Sequence, residues 1–399
     1  MSRRVVITGV GSISPLGVGA RTLYDRWSAG ETGIEDGFAP CSDFDPNEFL
    51  SSKEVRRNDR FVQLALGAAQ EALAQAGWDE EPPYDPERIG CAVGTGIGGI
   101  GSLEEQHDVL RDKGPDQVSP MAVPLMMANA ATAGVVLRHG LTGPTQTTVS
   151  ACAAGTDAIG AALRMIRSGD ADAAVTGGSE STLTPLAKSA FAAMDALSDC
   201  GISRPFDARR DGFIMGEGAG ILVLEDADAA EARDATVLGE VLGYGASADS
   251  YHITAPEPAG RGAAKAIERA LGDAGVGPED IDYVNAHGTS TPLNDKAETE
   301  ALKAALGEDR AKAIPVSSTK SAIGHLLGAA GGVEAVATVI ALQEGKAPPT
   351  LGYEEPDEEL DLDYVPGEPR DISDADRLIA LSDSFGFGGH NGVLVIAAP

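Results

Sequence analysis

One cysteine and two histidines stand in segments rich in glycine and alanine, each close to a predicted strand end. Cys152 lies in Thr-Val-Ser-Ala-Cys-Ala-Ala-Gly, His287 in Asn-Ala-His-Gly-Thr-Ser-Thr-Pro, and His325 in Ser-Thr-Lys-Ser-Ala-Ile-Gly-His. A thiol that opens a helix meets free backbone amides and the positive end of the helix dipole, which favour the thiolate. The sequence therefore predicts a lowered pKa for Cys152 and covalent catalysis by its sulfur.

Each of these residues also has an ordinary structural interpretation. A lone cysteine in an α/β core is usually a small buried apolar residue, and the other three cysteines keep that interpretation. Either histidine alone could be a core residue. A metal site requires further ligands at close spacing, and the sequence has none near these residues. Two histidines in junctions like that of Cys152 favour a shared site. Lys320 and Glu334 flank His325, and their positions leave open whether they face the same cavity or solvent.

The composition disfavours several classes of partner. Acidic residues outnumber basic ones 61 to 30 among 399 residues, and the formal charge of −31 repels nucleic acids and anionic membranes. No stretch approaches the ~20 apolar residues of a membrane span, and the start of the chain predicts a first strand rather than a signal peptide. The four cysteines are scattered without a CxxC pair. We therefore expect no disulfide framework, no zinc, and a reducing cytoplasm.

Short β-branched runs alternate with helix-length segments, which predicts an α/β fold with sheets covered by helices. The predicted strands are 5–8, 89–93, 147–150, 173–176, 221–224, 237–241, 281–285, 314–317, 378–381 and 392–397. The predicted helices include 59–76, 103–113, 153–168, 262–274 and 326–344.

An acidic, alanine-rich stretch at 226–234 divides the chain, so we predict two units, 1–235 and 236–399. The cysteine falls in the first unit and both histidines in the second. The segments around Cys152 and Lys320 both run from a strand into a helix start of small residues, a weak echo that favours duplication. Gly94-Thr-Gly-Ile-Gly-Gly matches the GxGxxG pattern of dinucleotide sites. Because another helical stretch follows where a βαβ unit needs a strand, we interpret it as a close-packed turn.

Taken together, the motifs resemble those of the β-ketoacyl-acyl carrier protein synthase II family, among the thiolase-like condensing enzymes. The resemblance runs from Arg4-Val-Val-Ile-Thr-Gly to the end of the chain. Besides the cysteine and histidine segments, it rests on Ser203-Arg-Pro-Phe-Asp, Tyr251-His-Ile-Thr-Ala-Pro and Ser384-Phe-Gly-Phe-Gly-Gly-His-Asn. It implies a duplicated thiolase-like fold of α-β-α-β-α layers, with two mixed sheets around buried helices.

The resemblance implies a decarboxylative Claisen condensation without a cofactor or metal. Cys152 would take an acyl group from a carrier-bound thioester. His287 and His325 would bind the malonyl thioester carbonyl and promote loss of CO2. The enolate would then attack the acyl group, and the amides of Cys152 and Phe387 would hold the oxyanion. The product is a 3-oxoacyl chain longer by two carbons.

The resemblance also assigns supporting roles. They are Lys320 and Glu334 for tuning the histidines, Thr289 and Thr291 for the pantetheine arm, Thr254 and Phe385 for further substrate contacts, Ile97 and Phe387 for the acyl tunnel and its gate, and Lys53, Arg56 and Arg57 for carrier docking. The implied partner is an acyl carrier protein, the implied assembly is a homodimer, and neither nucleic acid nor membrane is expected to bind.

The sequence departs from the family pattern at three places. Asp116, Gln117 and Asp195 stand where relatives often carry docking bases. The loop 198–203 is shorter than the usual connection. Asp383 stands where the family commonly has Asn beside the Phe-Gly-Phe run, and if it ionises it would disturb the gate.

A discrete ketosynthase of a polyketide pathway stays open as the alternative function. A thiolase would carry a second reactive cysteine near the C-terminus, but no cysteine follows Cys200. A non-catalytic chain-length partner subunit would typically lack Cys152. A nicotinamide dehydrogenase would rest only on the turn at Gly94.

Overall fold

The computed structural model describes residues 3–78, 81–375 and 377–399. In chain order its strands are β1 (Val5–Ser14), β2 (Gly17–Val18), β3 (Phe38–Ala39), β4 (Ile89–Gly94), β5 (Thr145–Gln146), β6 (Ala173–Glu180), β7 (Met215–Gly216), β8 (Gly218–Asp226), β9 (Gly239–Ala248), β10 (Tyr283–Asn285), β11 (Val316–Ser317), β12 (Lys346–Ala347), β13 (Arg370–Asp371), β14 (Ile379–Gly386) and β15 (His390–Ala397). Its α-helices are α1 (Ala20–Ser28), α2 (Ser52–Arg57), α3 (Arg60–Gln75), α4 (Ile100–Lys113), α5 (Ala122–Met126), α6 (Ala130–His139), α7 (Ala154–Arg167), α8 (Pro185–Ala192), α9 (Ala227–Ala232), α10 (Arg261–Ala274), α11 (Pro292–Leu306), α12 (Glu308–Ala313), α13 (Lys320–Ile323) and α14 (Ala330–Glu344).

The main sheet consists of two runs of strands with the same order. The first run is β5-β4-β6-β8-β1 and the second is β11-β10-β14-β15-β9. In each run the first three strands are parallel and the last three are antiparallel to their neighbours. The two five-stranded units are linked edge to edge, because β1 pairs with β9 at Val6–Glu240 and Ile7–Gly239. The two predicted mixed sheets are thus both present, joined into one continuous sheet by the pairing of β1 with β9. The division of the chain at residue 235 stays a prediction.

Two buried helices form the central layer. α14 is buried from Ala330 to Leu342 and is apolar almost all round, as a helix enclosed on every side must be. α7 packs on β4 and β6, and α14 packs on β6, β8 and β14. On the outer faces α3 covers β1 and β8, and α10 covers β9 and β15. The chain therefore forms helical, sheet, helical, sheet and helical layers.

The central helices meet backbone to backbone. A Cβ atom on Gly155 of α7 would lie 2.6 Å from the nitrogen of Gly332 in α14, so only glycine permits this approach. The short distance brings the starts of both helices into one place. That place is where the two halves of the chain bring their reactive side chains together.

The predicted strand 147–150 is wrong. The ladder in this region is β5, at Thr145–Gln146, and the next residues bend toward α7. The Thr148 hydroxyl donates to the Ala154 carbonyl at 2.6 Å, which ties this segment to the helix start, while the Thr148 carbonyl accepts from the Thr95 amide just beyond β4 at 3.1 Å. The other predicted strands and helices overlap observed ones. In the described ranges, no helix has both the length and the apolar character that crossing a membrane requires.

Candidate active site

Cys152 lies in a tight turn that leads directly into α7. Ala151 has a φ angle of 52°, in the left-handed region, and begins a 3-10 turn over Ala151–Ala153. The end of β14 backs this turn, since a Cβ atom on Gly386 would lie 3.1 Å from the Cys152 nitrogen. Such a backbone is strained by about 1–3 kcal/mol and persists where the surrounding packing fixes it. The Cys152 side chain is 6% exposed and faces a cavity.

The His325 ring contacts the sulfur directly. Its Nε2 atom lies 3.0 Å from Cys152 Sγ, and its Nδ1 atom accepts a hydrogen bond from the Leu327 amide at 3.2 Å. Because Nδ1 accepts, the proton of the neutral ring lies on Nε2. His325 therefore presents an N–H donor to the space above the sulfur.

The His287 ring is set in the same way by a buried ion pair. Lys320 Nζ lies 3.3 Å from His287 Nδ1 and pairs with Glu334, and both charged side chains are 1% exposed. An ammonium group can only donate, so Nδ1 accepts and the neutral His287 ring carries its proton on Nε2. The centroids of the His287 and His325 rings are 5.3 Å apart at 85°, edge to face.

Burial controls the protonation of all three reactive groups. It lowers the pKa of His287 and of His325 well below the ordinary value, and the Lys320 charge lowers both further. Burial also raises the pKa of the Cys152 thiol to about 11, against the opposing effects of Lys320 and of a hydrogen bond from the Phe387 amide. The predicted lowering of the thiol pKa is therefore wrong, because loss of solvent outweighs the help of nearby donors.

The same three side chains could also be considered as metal ligands. Cys152 Sγ and one nitrogen from each ring all lie within 4.8 Å of one another. A thiolate and two imidazoles suit zinc. The Lys320 ammonium, 3.3 Å from His287 Nδ1, opposes a divalent cation there. The absence of a metal and of a cofactor stays a prediction.

One cavity of about 750 Å³ brings together most of the predicted site. Besides the cysteine and both histidines, its lining includes Ile97, Thr254, Thr289, Thr291, Phe385 and Phe387. Lys320 and Glu334 lie behind the histidines and act on them from there. The segments 249–254 and 386–391 on its wall are tied together, since the Asn391 amide donates to Asp249 at 2.7 Å.

The chain matches a known protein family along most of its length. Residues 2–230 match the family model "Beta-ketoacyl synthase, N-terminal domain", and residues 238–354 match "Beta-ketoacyl synthase, C-terminal domain". The chain belongs to the beta-ketoacyl synthase family. The resemblance inferred from the motifs is confirmed.

The similar proteins include curated relatives and solved structures. The 3-oxoacyl-[acyl-carrier-protein] synthase 2 of Synechocystis is 48% identical over 98% of this chain and 96% of its own length. The same-named protein of Staphylococcus aureus is 45% identical over 99% and 98%. A beta-ketoacyl synthase from Burkholderia phymatum superposes over both full chains with a TM-score of 0.91 at 34% identity. The AntDE:AntF complex is a type II PKS acyl-carrier protein with its ketosynthase. One of its chains superposes over both full chains with a TM-score of 0.90 at 32% identity. The thiolase-like fold is confirmed.

Two buried acids that hold the His287 segment of this beta-ketoacyl synthase, Glu298 and Asp295, were not predicted from the sequence. Glu298 of α11 accepts from the amides of His287 at 2.6 Å and Gly288 at 2.8 Å, and Asp295 accepts from the Thr289 amide at 3.1 Å. Burial raises the pKa of Glu298 to about 8 and of Asp295 to about 6. Acids three residues apart share one helix face. Their position on the face that also buries alanines and leucines was the available signal.

The residues expected to dock a carrier lie apart from the cavity lining. Lys53, Arg56 and Arg57 are exposed on α2, which begins with a capping box between Ser51 and Glu54. None of the three lines the cavity. Their role in this beta-ketoacyl synthase stays a prediction.

Proposed function

We propose that this chain is a 3-oxoacyl-[acyl-carrier-protein] synthase that extends fatty acyl chains by two carbons in a reducing cytoplasm. The observation that carries the proposal is one sulfur and two imidazoles within 4.8 Å of one another in a cavity of about 750 Å³. The relatives at 45% and 48% identity have this name, and such synthases are acyltransferases.

In the first step an acyl group moves to Cys152. The sulfur attacks the carbonyl of an acyl-carrier thioester, the bond to the carrier sulfur breaks, and the thiol proton of Cys152 ends on the departing carrier thiol. The step needs no net base, which suits a buried thiol with a raised pKa. Amides of Cys152 and Phe387 stabilise the oxyanion as it forms.

In the second step the histidines act as hydrogen-bond donors. Both rings stay neutral at physiological pH, because burial and Lys320 lower the pKa of each. They present Nε2–H groups because each Nδ1 atom accepts a hydrogen bond. Two donors on the malonyl thioester oxygen stabilise the enolate while CO2 leaves. The enolate carbon attacks the acyl carbonyl, the Cys152 sulfur departs as thiolate and takes up a proton, and the 3-oxoacyl thioester is released on its carrier.

Mass spectrometry of the full chain with acyl-carrier thioesters of varied length tests the proposal. We expect one added acyl group, located on Cys152, and none in Cys152→Ala. Cys200→Ala is the matched control, since Cys200 is the exposed cysteine and should not affect acylation. Acylation at another residue, or acylated Cys152→Ala, would overturn the mechanism.

A discrete polyketide ketosynthase is the second candidate. The observation that favours it is the likeness, at 32% identity, to a chain of the complex between a type II PKS acyl-carrier protein and its ketosynthase. The identity to the two 3-oxoacyl-[acyl-carrier-protein] synthases is higher, at 45% and 48%, so we prefer the fatty acyl substrate. Saturated acyl-carriers and poly-3-oxoacyl-carriers offered in competition separate the two. Preferential elongation of the second would reverse our choice.

A homodimer is the proposed assembly. β5 is an edge strand with both residues exposed. Large exposed apolar side chains lie in the segment before it, at Leu103, Leu110, Val123, Met126, Met127 and Leu137. Open edges and contiguous apolar surface are typical of interfaces. Light scattering should give twice the chain mass, and a monomer at micromolar concentration would refute the dimer.

We propose that α2 supplies the positive charge for an acidic carrier protein. Its three bases are exposed on a chain whose net charge is −31, so a local patch must act within about 8–10 Å at physiological salt. Replacing Lys53, Arg56 and Arg57 with Glu should raise the KM for the carrier substrate without changing kcat. An unchanged KM would place docking elsewhere.

A further inference from the structure

The carboxylate of Glu180 lies buried where several turns of the site meet. Glu180 ends β6 and is 0% exposed. It accepts from the amides of Gly96 at 2.5 Å, Ile97 at 3.3 Å and Gly98 at 3.4 Å, and from the Thr95 hydroxyl at 3.0 Å. These residues form the turn from β4 into α4, which is the GxGxxG segment. The amides that would cradle a phosphate at such a turn bind the protein's own carboxylate instead.

A fifth donor comes from the other half of the chain. The Gly328 amide donates to Glu180 at 3.1 Å. Gly328 follows Leu327, whose amide holds the His325 ring. The β4–α4 turn is also tied to the nucleophile segment, because the Thr95 amide donates to the Thr148 carbonyl at 3.1 Å. One side chain thus joins the cavity wall to the turn that fixes a catalytic ring.

The backbones around this carboxylate leave no room for adjustment. A Cβ atom on Gly328 would lie 2.1 Å from the Gly96 nitrogen, and one on Gly96 would lie 2.7 Å from Glu180 Oε2. A shift of the carboxylate must therefore move both turns. Ile97, whose amide is one of the donors, is 41% exposed in the cavity lining.

We propose that Glu180 is a positioning residue that fixes both the Ile97 wall of the acyl cavity and the His325 turn, so that acyl chain-length selectivity and Cys152 reactivity depend on this one carboxylate. The inference rests on the proposed function in so far as the cavity holds an acyl chain.

The ionised form of Glu180 fits its surroundings. All five contacts are N–H or O–H donors, and an ionised carboxylate only accepts. Burial raises the pKa of Glu180, and the hydrogen bonds from Gly96 and Thr95 oppose that rise. A glutamine has nearly the same shape, but its NH2 group would face backbone N–H donors. Glu180→Gln should therefore push the turn and Ile97 away from their present positions.

The test compares Glu180→Gln with Glu71→Gln in the full chain. Glu71 is a matched control because its carboxylate also accepts backbone amides, from Ser12 and Ala20, and neither of these two residues lines the cavity. In Glu180→Gln we expect the ratio of acylation rates for short and long acyl-carriers to change on the order of tenfold to a hundredfold. We also expect Cys152 alkylation by iodoacetamide to follow a shifted pH curve. Glu71→Gln should preserve both at equal folded fraction.

A folded Glu180→Gln with the wild-type length ratio and pH curve would overturn the inference. If that variant does not fold, Thr95→Val removes the hydroxyl that donates to Glu180 and accepts from the Gly98 amide. It should still move both readouts away from their wild-type values. Unchanged readouts in Thr95→Val would then overturn it. The alkylation measurement needs no acyl substrate. A wild-type chain that is never acylated would therefore refute the proposed function, while a shifted alkylation curve in Thr95→Val, which keeps the Glu180 charge, would still support the positioning role.

Discussion

Two turns lead into the central helices, Ala151–Ala153 before α7 and Leu327–Ala329 before α14. They have the same backbone conformation but differ in the residue at the second position. Each begins with a residue in the left-handed region, with φ angles of 52° and 48°, and each is a 3-10 turn. The second position is Cys152 in the first turn and Gly328 in the other. The cysteine faces the cavity, whereas a Cβ atom on Gly328 would meet the Gly96 nitrogen at 2.1 Å.

This difference shows how a repeated fold gains a single nucleophile. The first turn leaves open space above its second residue, so a side chain there can react. The second turn closes against the backbone of the other half, and it contributes through the neighbouring His325 ring instead. Strand β10, in the same half, leads to His287. One half therefore supplies the sulfur and the other supplies hydrogen-bond donors.

The largest expected effect comes from removing the donors of the second half. His287→Ala and His325→Ala should still become acylated on Cys152, because the acyl transfer needs no net base. Release of CO2 from a labelled malonyl-carrier should fall on the order of 10²–10³-fold in each, which is typical for loss of one such donor. Counting acylation and CO2 release in the same samples separates the two steps.

His107→Ala is the control for those variants, since His107 is exposed on α4. It should release CO2 at the wild-type rate. Undiminished CO2 release in His287→Ala or His325→Ala would erase the proposed division between the halves.

Filling the second turn should cost stability. In Gly328→Ala the new methyl group meets backbone atoms, so we expect a loss of about 1–3 kcal/mol in the free energy of unfolding, as for other overpacked cores. Gly272→Ala is the matched control, because a Cβ there meets nothing within 4 Å and the site lies in α10. That variant should gain about 0.5–1 kcal/mol. Urea unfolding measures both, and equal stability of the two variants would show that the second turn has room.

The pH dependence of the thiol measures how far burial controls the first turn. Because the pKa of Cys152 is raised to about 11, chiefly by burial, its alkylation rate should rise about tenfold per pH unit from about pH 7 to about pH 9. Iodoacetamide labelling followed by peptide mass spectrometry measures this rate. A plateau below about pH 8 would mean that the helix start governs the thiolate after all.

Local pattern was sufficient for much of the site. The strand-to-helix junctions around Cys152, His287 and His325 predicted a meeting point, and the ring nitrogens do lie near the sulfur. The family motifs added residues that no spacing revealed, such as Ile97 and Thr254, which line the same cavity. The agreement for Cys152, His287 and His325 follows from short-range features, since each lies in a short run of consecutive residues.

What failed depended on tertiary contacts. The pKa of the Cys152 thiol is raised, not lowered, because burial outweighs the effect of the helix start. The degree of burial cannot be read from the sequence. The predicted strand at 147–150 is wrong because the regular ladder ends at Gln146 and the next residues lead into the turn before α7, where the Thr148 hydroxyl bonds to Ala154. Glu180 was not predicted, since its donors lie far from it in the chain, four of them at 95–98 and one at Gly328.

The corresponding strands β6 and β14 carry a second contrast, between two buried carboxyl groups. Glu180 on β6 accepts hydrogen bonds from five donors. Asp383 on β14 is 0% exposed, and both of its oxygens lack a hydrogen-bond partner among the described residues. Burial, with the charges of Glu298 and Glu334, raises the pKa of Asp383 well above its ordinary value. These surroundings favour the uncharged form of Asp383, so we do not expect the disturbance of the gate that an ionised group would cause.

The smallest effect should come from Asp383→Asn. The condensation rate should not change, because asparagine has nearly the same shape as the uncharged carboxyl group that burial favours. A group whose folded pKa is raised loses its contribution to stability as pH rises from its unfolded value, about 4, through its folded value. Asparagine does not titrate, so its advantage in thermal midpoint should be larger at about pH 8 than at about pH 5. A faster condensation rate, or a gain in midpoint that does not depend on pH, would show that Asp383 is ionised beside the gate.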